Sequence, residues 1–106
     1  MWEKMLSYIM EMAEVYITEA ETLFSDKEKE NDDYAVNREV LLKSVSGLLQ
    51  MLHTIKRSLN LDDKEMALVN KVDEALENLS NGEGIDYEGV KKMCEDIISI
   101  SFLVML

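Results

Sequence analysis

Residues 34–59, YAVNREVLLKSVSGLLQMLHTIKRSL, decide the fold class of this chain. Their apolar positions recur in alternating steps of three and four residues, which is the spacing of one face of an α-helix. Arg38 is the only charged member of this face. We therefore predict a long amphipathic helix from about Tyr34 to Leu59. Its apolar face comprises Tyr34, Arg38, Leu41, Val45, Leu48, Leu52, Ile55 and Leu59.

The same periodicity precedes this stretch, from Trp2 to about Ser25. Further apolar residues flank the repeating positions and widen the apolar arc to roughly 220°, against ~100° for an ordinary surface helix. We predict that this first helix either lies centrally or offers a second face to a partner. The charged residues 26–33 join the two helices. The repeating positions are Trp2, Leu6, Ile9, Ala13, Tyr16, Ala20 and Leu23.

Capping signals delimit two shorter helices in the second half of the chain. Asp62 and Glu65 have the spacing of a capping box, which predicts the start of a third helix. That helix is expected to end at Gly82, where glycine can take the left-handed conformation. Asp86 is the expected N-cap of a fourth helix. Residues 102–106 are apolar on every side, so we expect them to pack between other helices or against a partner.

These four helices predict an all-α fold. The sequence has no proline and four glycines, so the frequent turns that a β-sandwich or barrel needs are absent. Two long helices followed by two shorter ones favour an antiparallel four-helix bundle. The length of 106 residues fits one domain, 1–106.

The cellular compartment is predicted from cysteine content and hydropathy. Cys94 is the one cysteine, so it cannot form an internal disulfide, and we expect it to be buried on the fourth helix. No signal peptide is evident at the N-terminus. The longest apolar stretch, Ile97 to Leu106, is too short to span a bilayer as a helix. A cytoplasmic location without a membrane span is expected.

The net charge of −11, from 22 acidic and 11 basic residues, limits the possible partners. Residues 1–33 and 60–106 each carry −7, whereas residues 34–59 carry +3. Nucleic acids and anionic lipids attract Lys and Arg, so direct contact with either is disfavoured. Protein partners are therefore expected.

Patterns that would indicate catalysis are missing from the sequence. A di-iron bundle needs two Glu-x-x-His pairs, and a zinc protease needs His-Glu-x-x-His, whereas this chain has one histidine, His53. The Gly82-Glu-Gly84 run lacks the strand and the lysine of a phosphate-binding loop. Glu11 and Glu14 could begin a magnesium site, but they lie on the polar face of the first helix. We predict a non-enzyme with no catalytic residue, metal or cofactor.

Two charged residues fall inside the apolar arcs of the predicted helices, namely Glu19 and Arg38. Antiparallel helices joined through residues 26–33 would bring these two positions level. One hypothesis is a buried polar pair that fixes the register of the two helices. The alternative is that each side chain extends its charge into water.

The surplus of apolar surface predicts a protein-binding function, that of an adaptor, an export chaperone or an inhibitor subunit. A bundle of this size can bury only part of the first and fourth helices by itself. Docking of the fourth helix on a second copy would give a symmetric dimer. The predicted interface residues are Ile98, Phe102, Leu103, Val104, Leu106, Met5 and Met12.

A resemblance to one known protein family is consistent with this protein-binding class. The order of the helices and residues 48–63, LLQMLHTIKRSLNLDD, are similar in outline to bacterial flagellin-export chaperones. Those proteins are small helical bundles that shield an aggregation-prone client. The aromatic positions expected in the later helices of that family are missing here, and no functional residue is carried across.

An acidic decoy is the alternative function. Carboxylates on the first, third and fourth helices could imitate the phosphates of a nucleic acid and block a basic cleft on a host protein, as small phage-borne inhibitors can. The basic second helix dilutes this acidic field. Binding by a decoy should weaken steeply with ionic strength, whereas an apolar groove should hold its partner.

Overall fold

The computed structural model describes residues 3–25, 32–57, 63–82 and 86–105, and nearly all of them are helical. The prediction of an all-α fold is confirmed, and α2 begins two residues before the predicted Tyr34. None of the described helices has the length and apolar character needed to cross a membrane. The four helices are α1 (Glu3–Phe24), α2 (Asp32–Arg57), α3 (Asp63–Ser80) and α4 (Tyr87–Met105).

The predicted cap at the start of α4 is present. The backbone N–H of Gly89 donates to Asp86 Oδ1 over 2.7 Å. This bond satisfies one of the N–H groups that have no partner within the first turn of a helix. Asp62 and the side chain of Glu65, which form the predicted capping box of α3, lie outside the described residues.

The end of α3 also follows the prediction from sequence. Gly82 has a φ of 77°, in the left-handed region that a residue with a Cβ adopts only under strain. Its N–H donates to the carbonyl oxygen of Leu79 over 3.1 Å, and the N–H of Asn81 donates to that of Glu77 over 3.0 Å. The chain therefore leaves the helix with its last carbonyl groups partly satisfied.

The buried core that the structure describes is built from α1, α2 and α4. It follows the repeating positions predicted for α1 and α2, and Cys94 is buried as expected. Ala75 and Leu79 of α3 pack against this core from its edge. The buried apolar residues are Leu6, Ile9, Ala13, Ala20, Leu41, Val45, Leu48, Leu49, Leu52, Ile55, Val90, Met93, Cys94, Ile97 and Ile100.

The helices do not pack equally against one another. The contact between α1 and α4 is the most extensive, and α2 packs against α3 and, less closely, against α1. Smaller contacts join α3 to α4 and α2 to α4. The molecule measures 46 × 26 × 17 Å along its principal axes. Since α1 lies mainly against α4, its side toward α2 is left partly open.

Gly47 lies in the middle of α2 and offers a test of this packing. An added Cβ at Gly47 meets no atom within 4 Å. We expect Gly47→Ala to raise the free energy of unfolding by about 0.5–1 kcal/mol, because alanine loses less backbone entropy than glycine in a helix. Urea unfolding followed by far-ultraviolet circular dichroism measures this change.

The same substitution at Gly82 is the matched control. Because Gly82 has a positive φ, Gly82→Ala should lower the free energy of unfolding by about 1 kcal/mol. A Gly47→Ala variant that is destabilised as well would contradict the open surroundings of Gly47, and a stabilised Gly82→Ala variant would contradict the left-handed conformation of Gly82.

Candidate protein-binding surfaces

The first candidate surface is a line of apolar side chains along α1. Met5, Tyr8, Met12 and Val15 follow one another at steps of three, four and three residues, so they share one face of the helix. Tyr8 is 50% exposed, and Met5 and Val15 are also exposed, whereas Met12 packs partly against the core. We call these four residues the α1 stripe.

Sequence reasoning found only half of the α1 stripe. Met5 and Met12 were predicted as interface residues, and the structure places Met5 at the surface and Met12 at its edge. Tyr8 and Val15 were missed. The apolar arc of roughly 220° was the signal that could have identified them, because a helix this wide cannot bury its whole apolar face against one core.

The second feature is an open cleft of about 480 Å³ between the last turns of α1 and the first turns of α2. Leu41, which is buried, contributes to its lining, and Val40 lies beside it with 57% of its surface exposed. The size is within the range of about 300–1,000 Å³ typical of ligand clefts. The residues that line this α1–α2 cleft are Thr18, Glu19, Thr22, Leu23, Asn37, Val40 and Leu41.

The hydroxyl groups of two threonines in the cleft donate hydrogen bonds to backbone carbonyl oxygens of α1. The Thr18 hydroxyl donates to the carbonyl oxygen of Glu14 over 3.5 Å, and that of Thr22 donates to the carbonyl oxygen of Thr18 over 3.3 Å. With these hydroxyls turned back onto the helix, each threonine leaves its methyl group to contribute apolar surface. Glu19 and Asn37 are the remaining polar side chains of the lining.

The structure places Glu19 and Arg38 differently from the predicted buried pair. Glu19 is exposed in the α1–α2 cleft, and Arg38 is half-buried on α2. No ion pair joins them among the residues that the structure describes. The open cleft keeps the carboxylate in water, which avoids the cost of burying its charge.

The third feature is the end of α4. Phe102 is 57% exposed and Met105 is also exposed, so the prediction that this segment avoids solvent is not met within a single chain. We call Phe102 and Met105 the α4 end surface. No residue from 97 to 105 is charged. The segment of α4 that carries this surface therefore has no charged side chain of its own.

Other predicted interface residues on α4 are partly buried within the chain itself. Ile98 and Val104 pack against the core and Leu103 is half-buried, whereas Leu106 lies outside the described residues. The hydroxyl of buried Ser101 donates to the carbonyl oxygen of Ile97 over 2.7 Å, so its burial leaves no polar group unsatisfied.

A pocket of about 250 Å³ with charged side chains in its lining lies between α3 and α4. Lys71 and Lys92 line it together with Glu74 and Asp96, so its charges balance and it favours neither anions nor cations. The part of the chain that the structure describes holds no group of three or more His, Cys, Asp or Glu side chains able to bind a metal.

His53 has a structural contact between helices. Its Nδ1 lies 2.8 Å from Asp73 Oδ1, and this hydrogen bond joins α2 to α3. Both side chains are partly exposed, so the bond contributes about 1 kcal/mol or less to stability. His53 is itself half-buried on α2.

Cys94 is fully buried in the core. Burial raises the pKa of its thiol from 9.0 to about 12, and the negative charge of Glu95 adds to the shift. The reactive thiolate is therefore scarce in the folded protein at neutral pH. The residue acts as a small apolar core side chain.

This pKa shift predicts a specific dependence of stability on pH. The thiol ionises near 9.0 in the unfolded chain and near 12 in the folded one, so a rise in pH above 9.0 favours the unfolded state. Relative to Cys94→Ala, the wild type should keep a constant stability difference below pH 9.0 and lose part of it above. Urea unfolding of both proteins measures this; a difference unchanged across pH 9.0 would contradict the burial of the thiol.

Comparisons with protein-family models, curated proteins and solved structures gave no match to this chain. The likeness of residues 48–63 to flagellin-export chaperones therefore stays an observation on the sequence.

Proposed function

We propose that this protein is a non-catalytic helical protein that binds other proteins through apolar helix faces and also associates with itself. The exposed apolar side chains at helical spacing on the α1 stripe, together with those of the α4 end surface, support this function. Exposed apolar area that recurs along one helix face is typical of interaction sites, whereas single exposed apolar residues are common on any surface.

Self-association is assigned to the α4 end surface. Each chain carries a net charge of −11, so two copies repel wherever their acidic faces meet. The charge-free residues 97–105 allow close approach without that repulsion. A two-fold dimer through Phe102 would bury the same side chain from both copies at one contact.

The helix arrangement proposed for this function is an antiparallel four-helix bundle. Contacts between consecutive helices and the extensive α1–α4 contact support it. In such a bundle α1 and α4 are neighbours, and their outer faces remain available to partners. The buried, reduced Cys94 fits a reducing compartment, and we assign the protein to the cytoplasm.

The substitution Phe102→Ser tests the self-association. Burying a Phe side chain contributes roughly 1.5–3 kcal/mol, so its loss should weaken dimerisation about tenfold or more. Sedimentation equilibrium measures the association constant. The wild-type association should persist in about 1 M NaCl, because apolar contacts do not depend on charge attraction.

Val36→Ser is the matched control, because Val36 is also an apolar residue, is 59% exposed and belongs to α2 rather than to the α4 end surface. It should leave the association constant unchanged. A wild-type protein that sediments as a monomer at all concentrations would overturn the self-association, and equal effects of both substitutions would overturn its assignment to α4.

The acidic decoy is the second candidate, and it is supported by the exposed carboxylates of α1. Glu3, Glu11, Glu14, Glu19 and Glu21 are all exposed, and they could attract a basic cleft. Against it, the same helix carries the α1 stripe, which a phosphate mimic does not need.

Salt distinguishes the two functions. Affinity capture of the tagged protein from its host lysate, washed first at low and then at high salt, should retain a stoichiometric protein partner if apolar faces bind it. A nucleic-acid-binding protein that is retained at low salt and released at high salt would instead support the decoy.

A further inference from the structure

We propose that the α1–α2 cleft binds an amphipathic helix of a partner protein, and that this helix carries a basic residue that pairs with Glu19. The inference depends on the proposed protein-binding function and names the partner by its chemistry. Three properties carry it: the continuity of the cleft with the α1 stripe, the one acidic side chain of the cleft lining, and the length of the surface that the stripe and the cleft form together.

The cleft and the α1 stripe form one continuous surface. Glu19 follows Val15 by four residues and Thr22 follows Glu19 by three, so the helical spacing of the stripe continues into the lining of the cleft. On the opposite wall, Gly47 follows Val40 by seven residues and lies on the same face of α2. The open space at Gly47 leaves room for the partner helix to extend beyond the cleft.

The charges on α1 indicate that the partner helix carries a basic residue. Glu19 is an exposed carboxylate and the one charged side chain among the described residues that line the cleft, and no described residue forms an ion pair with it. The other acidic residues of α1 are exposed as well, and Lys4 is the helix's one basic residue. A second copy of this chain would bring the same acidic face and be repelled, whereas a Lys or Arg at the centre of an apolar helix face would complement Glu19.

The dimensions of the surface fit a helix. From Met5 to Glu19 the path along α1 covers about 21 Å at 1.5 Å per residue. A partner helix of four turns spans that length, and its apolar residues at positions i, i+3, i+4 and i+7 would meet the stripe and the wall at Val40. The occupant is therefore a helix rather than a compact ligand.

Synthetic peptides test this proposal with the full-length protein. One fluorescent helical peptide of about 18 residues carries leucines at helical spacing with lysines at the centre and flanks of the apolar face. A second peptide has glutamate in place of each lysine. Fluorescence anisotropy in about 0.15 M NaCl measures both affinities. We expect the lysine peptide to bind about tenfold tighter or more.

Two pairs of variants locate the site. Glu19→Gln should weaken binding of the lysine peptide about threefold to tenfold and leave the glutamate peptide no weaker. Its control is Glu21→Gln, which removes the same charge from the same helix outside the cleft. Val40→Ser should also weaken binding, and Met66→Ser, at an exposed apolar residue of α3, should not. Circular dichroism confirms that each variant remains folded.

The results separate this inference from the function on which it depends. Equal binding of both peptides, or equal effects of Glu19→Gln and Glu21→Gln, would overturn the role of Glu19. Binding that resists both Val40→Ser and Glu19→Gln would overturn the cleft as the site. Failure of every peptide to bind while Phe102-dependent association persists would overturn the inference alone. Failure of both would overturn the protein-binding function as well.

Discussion

The packing of α1 against α4, closed by the apolar face of α2, is the constraint on which the other features of this protein depend. Ile9, Ala13 and Ala20 of α1 are fully buried, as are Val90 and Ile97 of α4. The two alanines have small side chains, which suits close approach of a neighbouring helix. Each large apolar side chain buried at this contact contributes roughly 1.5–3 kcal/mol. Since α1 lies mainly against α4, less of its surface remains for α2.

This unequal packing explains where the apolar surplus appears. An apolar arc of roughly 220° on α1 is too wide to be covered by one core. The side toward α4 is covered, and the side toward α2 contains the cleft and the exposed part of the α1 stripe. At the other end of the chain, the last residues of α4 are apolar all round, so covering one side leaves Phe102 in solvent. Both exposed surfaces follow from helices that are more apolar than their neighbours can cover.

Charge gives the two surfaces different chemistry. The α1 stripe lies on a helix with five exposed glutamates, and Glu19 reaches into the cleft that continues the stripe. Residues 97–105, which carry the α4 end surface, have no charge. The acidic surface suits a basic partner, and the neutral one suits a second copy of the same chain. Under the proposed function, the chain would hold a partner and a second copy of itself at the same time, because the two proposed contacts use different helices.

The sequence by itself determined the elements that depend on local spacing and local conformation. Helical period identified the buried faces of α1 and α2, and local capping chemistry placed Asp86 and Gly82 at helix ends, because these signals involve residues within one or two turns. Only the tertiary structure decided that Glu19 is exposed and that Tyr8, Val15 and Val40 remain at the surface. Period gives the direction in which a side chain points, but the position of the neighbouring helix decides whether that direction meets protein or water. That position depends on long-range packing among α1, α2 and α4, which no single stretch of sequence encodes.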